Sequence, residues 1–156
     1  MTKTIPANQL WFINTLVTVR VSISDGQDGI SVLEHRAPYG FSPPLHLHRT
    51  EDEVFHVLEG EFRLKLQDQE RRVGPGDILL APKGFPHTYR VESAQGGRCL
   101  TITAGGDFER FVRAMSRPAE RPEFCMTETV SSARPSIGPS NWEMSNRSHC
   151  RPGVPI

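Results

Sequence analysis

The chain has 156 residues, and its 18 Lys plus Arg are balanced by 18 Asp plus Glu, so its formal net charge is zero. That length fits one domain with a sizeable core, and the balance, with no basic cluster, argues against nucleic acid or an acidic membrane as partner. No apolar run approaches the ~20 residues of a membrane span, the start MTKTIPANQLWFINTL lacks a signal-peptide pattern, and Cys99, Cys125 and Cys150 are too few and too irregular for a disulfide framework. A soluble cytoplasmic protein is expected.

Residues 1–10 read as an arm. From Leu16 the chain alternates: Val17, Val19, Val21 and Ile23 are apolar, and Thr18, Arg20, Ser22 and Ser24 are polar. This is the period of a half-buried strand. Asp25-Gly26-Gln27-Asp28-Gly29 is a turn by composition, and Ile30 to Arg36 is a second strand. Phe41-Ser42-Pro43-Pro44 is barred from a central ladder because proline donates no hydrogen bond. Arg49 to Asp52 form a polar corner, and Glu53 to Glu59 a strand. Glu59-Gly60-Glu61 is predicted to be a tight hairpin turn with Gly60 at positive φ.

Phe62 to Leu66 alternate again, and Gln67 to Glu70 read as a polar turn. Ile78 to Ala81 are expected to be a buried strand, Phe85 to Glu92 the strand that carries His87 and Tyr89, and Arg98 to Ala104 the last strand. Short strands separated by frequent turns indicate a sandwich or barrel. One helix is predicted: Asp107 is its N-cap, Phe108, Phe111, Val112 and Met115 form a stripe, and Pro118 stops it. It is expected to pack across the outside of the barrel. Residues 119–156 are rich in Ser, Pro and Arg without a sustained period and read as a poorly ordered tail. The expected division is therefore a domain at 1–118 and a tail at 119–156.

Two stretches carry the chemistry. Gly40 to Gly60 read GFSPPLHLHRTEDEVFHVLEG, and Gly76 to His87 read GDILLAPKGFPH. On an extended chain His46 and His48 share a face, since side chains alternate with period 2. With Glu53 and His87 they make three imidazoles and a carboxylate, a ligand set suited to Fe, Mn, Ni, Co, Cu or Zn. Glu51 and Asp52 compete for the carboxylate role, but the alternation of Glu53, Phe55 and Val57 favours Glu53. His56 has the opposite parity and is expected to face away, and His35 to be structural. Cys99 reads as a small hydrophobe.

The first stretch has the form Gly, five residues, His-x-His, four residues, Glu, six residues, Gly. The second is Gly, five residues, Pro-x-Gly, two residues, His. Together they resemble the paired motifs of the cupin superfamily. Gly40, His46, His48, Glu53, Gly60, Gly76, Pro82, Gly84 and His87 all fall in register, and Val91 stands where the second motif usually ends in Asn. The resemblance implies an all-β fold, a double-stranded β-helix or small jelly-roll barrel, followed here by one C-terminal α-helix. It also implies one divalent transition metal per chain, held by His46, His48, Glu53 and His87, and a homodimer.

Over roughly residues 9–117 the chain is similar to single-domain proteins of the quercetin 2,3-dioxygenase type. That likeness implies a dioxygenase for a small aromatic or enol compound; in a catalytic site Glu53 is either a fourth ligand or a general base, roles that are compatible if the carboxylate swings. Phe41, Phe55, Phe62, Tyr89 and Ile102 are candidates to line its substrate pocket. Cupins also include isomerases, lyases and non-catalytic binding or sensing proteins, and these stay open because fold does not fix reaction.

Overall fold

The computed structural model describes residues 8–119, and the expectations for residues 120–156 fall outside them. Ten strands and one helix follow in order: β1 (Gln9–Phe12), β2 (Thr15–Val21), β3 (Ile30–Ala37), β4 (Glu53–Glu59), β5 (Phe62–Leu66), β6 (Gln69–Val73), β7 (Ile78–Ala81), β8 (His87–Val91), β9 (Gly97–Ala104), α1 (Asp107–Met115) and β10 (Arg117–Pro118). They make a seven-stranded sheet, β10-β1-β2-β3-β9-β4-β7, and a three-stranded sheet, β6-β5-β8. Every pairing is antiparallel. This is the two-sheet architecture of a jelly roll.

Alternation decides what each sheet buries. Phe55 and Val57 of β4, Phe62 and Leu64 of β5, Tyr89 and Val91 of β8 and Cys99 of β9 form one core between the sheets. A second core joins Leu10, Phe12, Val17, Val19 and Leu33 to Val112 of α1. Leu33 shares its face of β3 with His35, so α1 covers the same face of the large sheet as the site. The outward placement expected for this helix is thereby corrected. Asp107 is its first residue rather than its N-cap; Gly106 caps it in the left-handed region, at φ 75°, where glycine has no Cβ penalty.

Three further differences are instructive. The turn at Gly60, at φ 81° as expected, is not a hairpin, because β4 and β5 belong to different sheets. It is a corner that hands the chain from one sheet to the other, and a Cβ there would come within 2.6 Å of the Gly96 carbonyl oxygen. β7 is an edge strand rather than a buried run, with Ile78 63% and Leu80 52% exposed. Three strands, β1, β6 and the two-residue β10, are not announced by the sequence. In QERRV of β6 the first four residues are polar and exposed and Val73 alone is apolar and buried, so it shows no period 2.

Segment 40–46 runs beside β8 without becoming a regular strand. Gly40 donates to Val91 O, Val91 N to Phe41 O, and His46 and His87 exchange both backbone hydrogen bonds, at 3.1 and 2.8 Å. The intervening prolines interrupt the ladder. Thr88 Oγ1 fills part of that gap by donating to Pro43 O at 2.6 Å.

Candidate metal centre

Four side chains from three places converge. His46 and His48 come from the proline-stiffened segment, Glu53 opens β4, and His87 opens β8. One ligand atom from each lies within 4.8 Å of the others. An ion about 2.1 Å from each ligand sets ligand separations of about 3–4.2 Å, so the cage needs to close by only a few tenths of an ångström.

The far side of each ring is occupied. His46 Nδ1 donates to Pro44 O at 2.8 Å, and His87 Nδ1 to Phe85 O at 3.0 Å. His48 Nδ1 lies 3.7 Å from Glu51 Oε1. With the Nδ1 atoms so used, the Nε2 atoms of His46 and His87 are the ones left for the cluster, an arrangement typical of metal-bound histidine. His87 Nε2 sits 3.0 Å from Glu53 Oε2. His48 Nε2 lies 3.2 Å from the same oxygen but off the hydrogen-bond direction, leaving a buried nitrogen without a partner. Buried polar atoms are rarely left so. An orphaned imidazole nitrogen facing a carboxylate and two more imidazoles fits a divalent cation.

The electrostatics agree. Burial pushes the Glu53 carboxyl up, but His48 and His87 overcome it and hold its pKa at about 2. Burial pulls His48 down, yet Glu53 and Glu51 more than offset this and raise it; burial lowers His46. Three nitrogens and one anionic oxygen are thus available at neutral pH once a metal displaces the His48 proton.

The other expected residues divide. Phe41, Phe55, Phe62 and Tyr89 are buried together beneath the cage, with ring centroids 5.6–6.1 Å apart. Phe55 reaches the His87 ring edge-on at 5.9 Å. Ile102 is not with them. On β9 the buried parity is Cys99, Thr101 and Thr103, so Ile102 faces the other side, between Val32 and Val54. His35 is structural as expected: it bonds Thr101 Oγ1 at 3.1 Å, and burial drives its pKa to about 4. Cys99 is a free buried thiol, pushed by burial to about 12. Asp52 is exposed and accepts from Lys83 N at 2.8 Å.

Two residues of the site were not legible beforehand. Phe108 of α1 lies edge-on to His48 at 5.1 Å and stacks on His35 at 6.0 Å. Glu51 is buried rather than solvated, and its Oε1 accepts from the Phe108 N–H. Both depend on a contact spanning 57 residues, which no local pattern announces.

The jelly roll and this cage are similar to those of cupins, and residues 32–103 match the family model for the cupin domain. It is 32% identical over 97 residues to quercetin 2,3-dioxygenase of Bacillus subtilis, a match covering 62% of this chain and 28% of that protein. Among solved structures it is similar to the polyketide cyclase RemF from Streptomyces resistomycificus, at TM-score 0.54 and 25% identity over 67% of this chain and 80% of that one. It also resembles the dimethylsulfoniopropionate lyase DddQ from Ruegeria pomeroyi, at TM-score 0.52 and 26% identity over 62% and 49%. The chain spans between 27% and 46% of the length of the curated relatives it matches by sequence, the Bacillus subtilis dioxygenase at 28% among them. Among the described residues no helix is long and apolar enough to cross a membrane.

Proposed function

We propose that this protein is a metal-dependent dioxygenase acting on a small aromatic or enol compound of flavonol type. The observation that carries the reading is the cage itself, His46, His48, Glu53 and His87 with ligand atoms within 4.8 Å. The likeness to a quercetin 2,3-dioxygenase over 62% of the chain supports the reaction class.

A bound divalent metal would act as a Lewis acid that lowers the pKa of a substrate hydroxyl and, if redox-active, would support chemistry with O2. The chain supplies the rest. His46, His48 and His87 would hold the ion, and the anchored Nδ1 atoms of His46 and His87 fix those two rings. Glu53 is ionised, buried and within reach of His48 and His87, so its carboxylate is placed to accept the proton that the hydroxyl releases. Phe108 and Phe55 lie edge-on to His48 and His87 and give the centre an aromatic flank on two sides. Burial raises the Tyr89 hydroxyl well above its usual range, so it remains a neutral donor.

A second reading, a metal-dependent lyase or cyclase, draws support from the similarity to RemF and DddQ. A third, a binding or sensing cupin, requires the same cage without turnover. The test is elemental analysis of protein purified without a histidine tag, followed by an oxygen electrode with flavonols and catechols. The expected result is close to one redox-capable ion per chain, O2 uptake matching flavonol loss, and both abolished in His48→Ala. No metal even after reconstitution overturns the proposal. Conversion without O2 uptake replaces it with the lyase reading, and a ligand recovered unchanged replaces it with the binding one.

A further inference from the structure

We infer that Glu51 is a positioning residue of the metal centre: its carboxylate aligns His48 for the ion and couples that ligand to the start of α1. The inference rests on the metal-binding reading above. The three ligand histidines are not held alike. His46 and His87 are fixed by backbone carbonyls, those of Pro44 and Phe85. His48 alone faces a side chain, Glu51 Oε1, at 3.7 Å.

That carboxylate is unusual for its place. It lies in a polar corner between His48 and Glu53, yet its side chain is wholly buried. Oε1 accepts from the Phe108 N–H, while Oε2 is buried without a partner. A buried carboxylate with one hydrogen bond is costly unless a cation lies nearby. A divalent ion held by His48 Nε2 would supply one. It would make Nδ1–H a stronger donor, and a small ring rotation would bring that group from 3.7 Å into hydrogen-bond range of Oε1. Gly105 packs against the same carboxylate, where a Cβ would lie in van der Waals contact with Oε2 at 3.4 Å.

The same oxygen serves the helix. An anion at the first turn of α1 satisfies an amide that has no partner within the helix and favours the helix dipole. Phe108, whose N–H it holds, is the residue whose ring lies against His48 at 5.1 Å. One carboxylate thus sets both the ligand and the aromatic wall beside it. Thr50 makes a separate tie between the same corner and the helix by donating to Asp107.

The bland alternative is that Glu51 only caps α1, and the two roles separate experimentally. Glu51→Gln keeps an oxygen acceptor for the Phe108 amide but removes the charge that orients His48. Thr50→Val weakens the corner-to-helix tie and leaves His48 alone. Cobalt(II) is the probe, titrated against a competing chelator and followed by its visible absorption.

The expected result is that Glu51→Gln loses about 10–100-fold in cobalt affinity, with a changed visible spectrum and a nearly unchanged melting temperature of the metal-free protein. Thr50→Val should lower that melting temperature and keep the parent affinity. Equal cobalt affinity in Glu51→Gln and the parent overturns the inference. A parent protein that binds no cobalt fails the metal-binding reading itself, a result visible before any variant is made. Imidazole 15N shifts of the zinc-loaded parent give a check free of variants: a His48 metallated through Nδ1 also overturns it.

Discussion

Glu53 provides a prediction whose size follows from its surroundings. Burial alone would raise its pKa; the two imidazoles beside its Oε2 instead bring it from 4.5 to about 2. The difference is about 2.5 units, or about 3 kcal/mol at ~1.4 kcal/mol per unit. The folded-state pKa is depressed, so this stabilisation is present above pH ~4.5 and is lost as pH falls toward 2. His48 behaves oppositely. Its folded-state pKa is raised, so its contribution is present below its ordinary 6.5 and is lost as pH rises through the folded value.

The metal-free protein should therefore be favoured by these two groups in the interval between, and metal should bind more tightly as pH rises and His48 deprotonates. The assay is urea unfolding of metal-stripped protein from pH 2 to pH 8, for the parent and for Glu53→Gln. Other carboxylates titrate alike in both, so the difference isolates Glu53. The parent should lose about 3 kcal/mol more than the variant between pH 5 and pH 2. Parallel acid limbs would refute the reasoning, because they would mean that Glu53 does not interact with the imidazoles in solution.

Two other outcomes follow from packing. Val112 is fully buried where α1 meets the large sheet, and Val112→Ala removes two methyl groups, so roughly 2 kcal/mol of stability should be lost, read by denaturant midpoint at constant m-value. Leu80 is 52% exposed on the outer side of edge strand β7, so Leu80→Lys should change stability by no more than about 0.5 kcal/mol in thermal melts; a larger loss would show that this side of the sheet is covered in solution.

What could be seen in the sequence was whatever depended on short-range period. The boundaries of β4 and the convergence of His46, His48, Glu53 and His87 follow from alternation or fixed spacing. The hidden parts had other causes. β6 carries QERRV and hides because its first four residues are polar. β9 misled because its apolar residues Leu100 and Ile102 point outward, while Thr101 and Thr103 turn inward beside His35 and Glu53. An interior that holds a charged site inverts the usual rule of polar-out. Arg20 interrupts β2 with a register shift between Val19 and Val21, so Val21 leaves the face that Val17 and Val19 share. Glu51 and Phe108 meet only because the helix returns to the corner that precedes β4.

The exchange of backbone hydrogen bonds between His46 and His87 has a consequence for how fast and how faithfully an ion could come and go. An ion joining these residues in a loose chain would have to close a loop of about 40 residues, an entropic cost of roughly 3 kcal/mol. Here two amide hydrogen bonds have already closed it. The frame is thus closed by the backbone itself, so an ion held there would come and go without dismantling it, and would meet a largely preformed cluster rather than a chain that gathers around it.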